Sequence, residues 1–334
     1  MAERVLYVLR YWPTVSETFV VREIAELQRR GLEIVVLSMG RRADSSVATG
    51  LPRVETWDWP RGWDRWRATL AFPRPSRLRT RIAWAAARGR GRFDRVHAHF
   101  AGEAAHVARA LARGWGVPYS VTVHAVDLFR PLPGLAKVLS DAEPCITICH
   151  HHRHWIADRY GVDADVVRCG VPPASVRADP GLQPARVVCV ARPVEKKGLA
   201  RLRRAVAPEQ LDLVGADRPV APNAVPARLA RAQVFALPAC VATNGDRDGV
   251  PVSMMEAMAA GLPVVTRPVA GIPELVDASV GWVDPVFERA LAAALADPEQ
   301  RLIRGEAARA RIEREWTVEG QAGALLQAWC RVRR

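Results

Sequence analysis

The stretch Gly245-Asp-Arg-Asp248-Gly-Val-Pro-Val-Ser-Met-Met-Glu256-Ala-Met-Ala-Ala-Gly261-Leu-Pro-Val-Val265 decides how this chain is read. Its pattern predicts an acidic loop, a short helix and then a buried strand. Pro251 suits the first turn of a helix, where a missing N–H costs nothing. Gly261 and Pro263 stop that helix, and Val264-Val265 start the strand. Asp248 is therefore expected in the loop just before the helix, and Glu256 about a turn and a half inside it. Two carboxylates at that offset flank a positive helix end, which is a natural anion site. A helix start that can hold phosphate, bracketed by acids that can hold hydroxyls, suits a nucleotide sugar.

Outward from that stretch, strand and helix signals alternate. Strands are predicted at Val5–Leu9, Glu33–Ser38, Arg95–Phe100 and Tyr119–His124, with helices at Glu17–Arg29 and Glu103–Arg113. A short strand at Val166–Arg168 runs into Pro172–Gly181, which reads as a linker. A second alternating set occupies Arg186–Val190, Leu211–Val214, Val234–Leu237, Leu262–Val265 and Gly281–Val283, before a closing helix at Val318–Val332. This βαβ rhythm implies parallel sheets covered on both faces by helices. The expected division is 1–174, 183–315, and a C-terminal helix over 316–334 that returns to the first domain. Ligands bind such sheets outside the carboxyl ends of the strands.

With 334 residues, 49% of them hydrophobic, the chain has the size and composition of a two-domain globular protein. No apolar run is long enough to span a bilayer, and Val5–Leu9 is too short for a signal-peptide core. Six cysteines without CxxC spacing fit a reducing compartment, so the expectation is a cytoplasmic protein. The net charge of +13 is uneven. Eleven arginines between Arg61 and Arg95 face only Asp64 and Asp94, with Trp57, Trp59, Trp63, Trp66, Phe72 and Trp84 in or beside them. Such a segment fits an anionic membrane surface. It equally fits a solvated face of an arginine-rich chain, and less well a nucleic-acid patch.

After the strand ending at Val190 comes Ala191-Arg192-Pro-Val-Glu-Lys-Lys197-Gly198. Arg192 and Lys197 are placed to reach one diphosphate, and two of the chain's three lysines occur here although arginine is used almost everywhere else. A charge pair with Glu195 at a solvated helix start is the plainer reading of the same residues. Together these motifs resemble the family-4 retaining glycosyltransferases of GT-B fold, in which two Rossmann-like domains face each other across a cleft. Asp248-x7-Glu256 resembles the family's E-x7-E motif, and Gly271-Ile-Pro-Glu274-Leu matches the family pattern downstream of it. Pro13-Thr-Val-Ser16-Glu17-Thr18-Phe19, His97-Ala-His99-Phe100 and Thr122-Val-His124-Ala-Val-Asp127 are similar to the subset that makes bacterial exopolysaccharides such as colanic acid.

That resemblance implies roles. Glu256 would bind donor ribose hydroxyls, with Gly249, Val250, Pro251 and Val252 in the same donor-binding set. Asp248 would contact the transferred sugar, Arg192 and Lys197 would neutralise the diphosphate leaving group, and His124 would face the sugar near the reacting carbon. Ser16, Glu17, Thr18 and Asp127 would lie on the acceptor side. The implied activity moves a sugar, with retention, from a nucleotide diphosphate to a glycan, lipid-linked or small-molecule acceptor. No cofactor is expected, and no Asp-x-Asp is expected to hold a metal.

The chain also departs from the family pattern. Asp248 stands where glutamate is usual, Cys169-Gly170-Val-Pro172 replaces Asn-Gly-Val-Asp, and the region between Leu202 and Val234 looks short by one helix and one strand. Cys149-His150-His-His-Arg-His154 carries zinc-ligand residue types, but neighbours on one helix start point different ways, so a polar helix start is expected there. His97 and His99 are expected to face opposite ways along their strand. The competing readings are a nucleotide-sugar epimerase or hydrolase on the same fold, and a non-catalytic basic protein bound to nucleic acid or membrane.

Overall fold

In the computed structural model, residues 3–14, 16–41, 52–58, 77–216 and 220–331 are described. Runs of Val, Leu and Ile without polar alternation give strands that are buried on both faces, as parallel sheets require. Seven of them pair in parallel in the order β3-β2-β1-β4-β5-β6-β7. These are β1 (Arg4–Leu9), β2 (Glu33–Ser38), β3 (Glu55–Asp58), β4 (Arg95–His99), β5 (Tyr119–Val123), β6 (Cys145–Thr147) and β7 (Asp165–Val166). A second parallel sheet has the order β12-β11-β10-β8-β9. It contains β8 (Val187–Val190), β9 (Leu211–Val214), β10 (Val234–Leu237), β11 (Val264–Thr266) and β12 (Gly281–Val283).

The helices that position the site are α1 (Thr18–Arg29), α2 (Arg77–Gly89), α3 (Glu103–Trp115), α4 (Ala125–Phe129), α5 (Leu135–Ser140) and α6 (His150–Tyr160) in the first half. The second half has α7 (Leu199–Ala205), α8 (Val225–Leu229), α9 (Val252–Ala259), α10 (Phe287–Ala296), α11 (Pro298–Glu315) and α12 (Val318–Arg331). Strands β3 and β6 were not expected: four and three residues long, they carry no period-2 pattern that sequence can register. Between α7 and β10 the described residues hold β9, the five-residue α8 and two three-residue 3-10 turns, Pro208–Gln210 and Pro222–Ala224.

The chain crosses between the halves twice. Val171 pairs in parallel with Thr317, and the Val171 N–H donates to the Trp316 carbonyl. A side chain at Gly170 would run into the Thr317 carbonyl, so glycine there lets the two crossings touch. Helix α12 then lies on α1, with the Arg30 guanidinium on the Glu319 carbonyl and the Arg95 guanidinium on the Trp329 carbonyl and ring. The last helix thus ties the second half back to the first.

Candidate functional site

Both sheets change winding direction at one place. In the first, the chain leaves β1 for β2 on one side and for β4 on the other; in the second, it leaves β8 for β9 and then β10. Crevices at such switch points, outside the strand ends, are where open α/β sheets hold ligands. The loops after β8 and β10 carry the Arg192–Lys197 and Asp246–Glu256 stretches, and those after β1 and β5 carry Ser16–Thr18 and His124.

The loop after β8 closes in a single 3-10 turn, Glu195–Lys197, and Gly198 comes next with φ of +64°. A Cβ there would strike the Pro238 carbonyl, so the turn is pressed onto the loop after β10. That packing buries both lysines against the acids. The Lys197 ammonium lies 2.7 Å from Asp248 Oδ2. The Lys196 ammonium sits between Asp246 Oδ1 at 3.1 Å and Asp248 Oδ1 at 3.5 Å. Asp246 and Asp248 do form an Asp-x-Asp, and an ammonium occupies the place between them. Burial alone would raise the Asp248 carboxyl; the Lys197 and Lys196 charges outweigh it and hold it below the usual carboxylate range. Arg192 is exposed and forms no ion pair with a described residue. Lys196, passed over in favour of Lys197 on sequence, thus belongs to the same cluster.

Helix α9 begins at Val252, with Pro251 in extended conformation as its N-cap rather than inside the first turn. The pre-helix position suits proline equally, since its N–H is not needed. Gly249, Val250 and Pro251 are buried or nearly so and Val252 is half-buried. Glu256 does not stand alone. Arg22 of α1, from the other half, reaches it at 2.5 Å, with side chains 23% and 20% exposed. Further contacts cross the cleft. Glu274 accepts the His150 and His151 N–H groups at the start of α6 at 2.9 and 2.8 Å. The Arg247 guanidinium lies 4.4 Å from the centre of the Phe129 ring. Acid at a helix start is favourable, so Glu274 of the Gly-Ile-Pro-Glu motif acts as a cap across the domain boundary.

On the first sheet, His99 and His97 are two residues apart, so they share a face, since side chains repeat every second residue along a strand. The expectation of opposite faces is therefore corrected: their rings are 5.1 Å apart and both are buried. His97 hydrogen-bonds Ser120 and Thr122 through its two ring nitrogens. His99 Nδ1 is 3.2 Å from His124 Nε2, and His99 Nε2 is 2.8 Å from Glu23 Oε1. Glu23 also accepts from the Tyr7 hydroxyl at 2.8 Å and from the Gln321 amide at 2.6 Å. Burial pushes Glu23 upward, but the His99 charge and these hydrogen bonds hold it below its ordinary value. The Gln321 carbonyl in turn accepts the Gly170 N–H at 2.7 Å. A buried polar chain therefore runs from His124 to the domain crossing. Glu23, His97 and His99 have metal-ligand types within 4.8 Å of one another. Hydroxyls already engage both His97 nitrogens, so this is a hydrogen-bonded set.

His124 packs against Phe19 and Phe100, and burial drives its imidazole well below the usual histidine range, with the His99 charge adding to the effect. His124 is thus neutral. Asp127 Oδ2 accepts the His124 N–H at 2.9 Å. Ser16 is exposed and Glu17 accepts from the Thr14 hydroxyl at 3.0 Å. In the Cys149–His154 run, His152 is fully buried with neither ring nitrogen hydrogen-bonded, while His150 and His154 are exposed. The run does not converge on one point.

Burial pushes the Asp127 carboxyl up to about 7, against the His124 and Ala101 N–H groups that favour its charged form. A carboxyl raised on folding stabilises fully at low pH and loses that contribution as pH rises through its folded value. Asp127→Asn is therefore expected to gain stability relative to the parent between about pH 4 and 7, by up to roughly 1.4 kcal/mol per pH unit. Urea midpoints of both proteins at three pH values measure this; parallel pH slopes would contradict it.

The arginine-rich segment is partly internal. Trp57 is buried, and the Arg88 and Arg92 guanidiniums lie 4.9 and 5.4 Å from its ring centre. Arg95 is fully buried. Arg95 therefore belongs to the core, which corrects the expectation that the whole segment is a surface patch, while Arg88 remains exposed and Arg92 partly so. Arg61, Arg65, Arg67, Arg74, Trp59, Trp63, Trp66 and Phe72 lie outside the described residues. Among the described residues no helix is long and apolar enough to cross a membrane.

Residues 16–175 match the family model described as Glycosyltransferase Family 4, and residues 174–302 the model described as Glycosyl transferases group 1. The chain is thus a glycosyltransferase with a family-4 domain followed by a group-1 domain. It is 36% identical over 197 residues to the amylovoran biosynthesis glycosyltransferase AmsK of Erwinia amylovora, covering 46% of this chain and 47% of that protein. It is 38% identical over 154 residues to the putative colanic acid biosynthesis glycosyltransferase WcaL of Salmonella typhimurium, covering 37% of each. These matches span less than half the length of either relative. Among solved structures, a sucrose-phosphate synthase from Thermosynechococcus elongatus has a TM-score of 0.73 at 15% identity, covering 100% of this chain and 99% of that one. HepE of Anabaena, solved with UDP and glucose, has a TM-score of 0.74 at 15% identity, covering 98% and 100%. At such identities the likeness is one of fold, and the fold is GT-B.

Proposed function

We propose that this glycosyltransferase moves a sugar from a nucleotide diphosphate donor, with retention of configuration and without a metal, to a glycan, lipid-linked or small-molecule acceptor. The observation that carries the reading is the pairing of two switch points across one cleft, with Lys196, Lys197, Asp248 and Glu256 on one side and neutral His124 on the other. Negative charge grows on the diphosphate as the glycosidic bond breaks, and cations fixed in a partly dry site stabilise it without reorganising. The Asp246–Lys196–Asp248 arrangement puts an ammonium where an Asp-x-Asp would otherwise draw a divalent ion. The departing phosphate oxygen takes the acceptor's proton on the same face, so no protein nucleophile is needed.

UDP- and GDP-sugars are the first donors to test: HepE was solved with UDP-glucose, and a curated relative from Corynebacterium glutamicum is a GDP-mannose-dependent mannosyltransferase. A donor at about 100 times its Kd stabilises by about 2.7 kcal/mol. A panel of nucleotide sugars, scored by thermal shift and by release of free nucleotide, should show one such donor. No shift and no release with any member would overturn the reading. Fast release without any acceptor would favour a hydrolase instead.

Glu256→Ala should weaken free UDP or GDP and the full donor in parallel, by about 1–3 kcal/mol. Titration calorimetry checks this, and an unchanged affinity would make Glu256 a partner of Arg22 alone. An acceptor held at an anionic membrane surface would be met by the arginines outside the described residues. Cosedimentation with anionic vesicles should then be lost at high salt, since each basic side chain contributes about 1 kcal/mol within a Debye length. Equal binding to neutral vesicles, or none to either, would leave only a solvated arginine-rich face.

A further inference from the structure

Arg22 is the one cation of the first half that reaches into the opposite cluster, among the described ion pairs there. Its Nη2 lies 2.5 Å from Glu256 Oε1. Its Nη1 is buried and has no hydrogen-bond partner. A guanidinium presents its donors as a planar fork, suited to engaging two acceptors side by side. Here one prong is used and the other is not.

The position of Arg22 on α1 places that unused prong beside the cleft. Arg22 comes four positions after Thr18, the first residue of α1, so the two share one helix face. The Glu256 contact shows that this face looks across the cleft toward α9. The start of α1, with unpaired N–H groups and a positive dipole end, lies one turn from Arg22. On the opposite side, Lys197 is neutralised by Asp248, and Lys196 by Asp246 and Asp248. Arg247 is turned onto the Phe129 ring. Arg192, exposed and without a described acidic partner, is the cation that the Arg192–Lys197 loop leaves open. A diphosphate entering the cleft brings about two negative charges; Lys196 and Lys197 meet it from within ion pairs, Arg192 from outside any described one, and the unused Arg22 Nη1 adds a donor from the other half.

We propose that Arg22 is a donor-binding residue contributed by the acceptor-side domain: its free Nη1 takes a phosphate oxygen of the donor diphosphate while Nη2 stays on, or is exchanged from, the Glu256 carboxylate. This rests on the glycosyl-transfer reading above and extends it. The donor is then clamped between the halves rather than held by one of them. Arg22 couples the carboxylate assigned to the ribose with the phosphates, and closing the cleft completes the site.

The test compares a nucleoside with its diphosphate on Arg22→Ala and Arg22→Lys. By titration calorimetry with uridine, UDP, guanosine and GDP, Arg22→Ala should lose about tenfold to a hundredfold in diphosphate affinity, the scale of one charge-assisted hydrogen bond to phosphate. Nucleoside affinity should stay within about twofold, because the nucleoside carries no phosphate. Arg22→Lys, with charge but no fork, should fall between. If Arg22 merely blocks Glu256 in the empty cleft, Arg22→Ala would tighten nucleoside and diphosphate alike, and the proposal would be overturned. A parallel loss for both ligands would overturn it equally, marking a structural ion pair. A parent protein that binds no nucleoside diphosphate would overturn the transfer reading itself. Thermal melts without ligand, together with the Arg22→Lys variant, separate misfolding from any of these results.

Discussion

Lys197→Ala should lower turnover by about two to three orders of magnitude, the usual effect of removing one fixed stabiliser of developing charge. Donor affinity should change far less, because the charge matters most as the leaving group forms. The substitution also has a structural cost. The Lys197 and Asp248 side chains are 11% and 12% exposed, so the alanine leaves a carboxylate largely cut off from water. Breaking a buried pair costs about 3–5 kcal/mol. The lower end applies here, since the Lys196 ammonium stays 3.5 Å from Asp248. The two effects separate in the double variant Lys197→Ala with Asp248→Asn. Neutralising the stranded acid should restore most of the melting temperature and none of the turnover. Arg192→Ala offers the converse: exposed and outside any described ion pair, it should cost turnover with little change in stability. Single-turnover rates and melts of the four proteins decide the matter. If Lys197→Ala turned over within tenfold of the parent, Lys197 would be a structural partner of Asp248 and nothing more.

What sequence could and could not reveal divides along physical lines. Long buried strands and amphipathic helices announce themselves by composition and period, so β1, β2, β4, β5, α1 and α3 lay within a residue or two of their expected ends. Pro263 explains one shifted boundary, since it lacks an N–H for the ladder and β11 starts at the next residue. The motif residues Lys197, Asp248 and Glu256 were legible because their types are unusual for their surroundings. Their partners were not. Arg22 lies 234 residues from Glu256, and Gln321 lies 298 from Glu23. In a chain with 45 arginines, nothing local marks Arg22 as different from its neighbours. The error over His97 and His99 was of another kind, because the strand period itself places such a pair on one face. Lys196 was missed because two adjacent lysines look interchangeable until the fold shows both ammonium groups gathered on one pair of aspartates.

A tight steric contact across the cleft supplies the second large effect. A Cβ added at Gly249 would lie 2.5 Å from His152 Cε1 and 2.9 Å from His152 Nε2. His152, on α6, has 0% accessible surface, and burial pushes its pKa down to about 3, so it is a buried neutral ring. Gly249→Ala therefore has to drive the loop after β10 and α6 apart. Overpacking of this kind costs about 1–3 kcal/mol. Because Asp248 and Val250 flank the position, the strain should also appear as weaker nucleotide affinity, not only as a lower melting temperature. The backbone at Gly249 has no positive φ, so the penalty comes from the His152 contact and not from local strain. That makes the effect reversible by a second substitution. His152→Ala alone is expected to destabilise by leaving a cavity. In that background, however, the Gly249→Ala step should cost much less in stability and nucleotide affinity, with Ile148 Cδ1 at 3.2 Å the one tight contact left among those nearest the added Cβ, giving a coupling of about 1–3 kcal/mol between residues in direct contact. An equal cost for Gly249→Ala in both backgrounds would show that the loop after β10 is not seated on α6 as the structure has it.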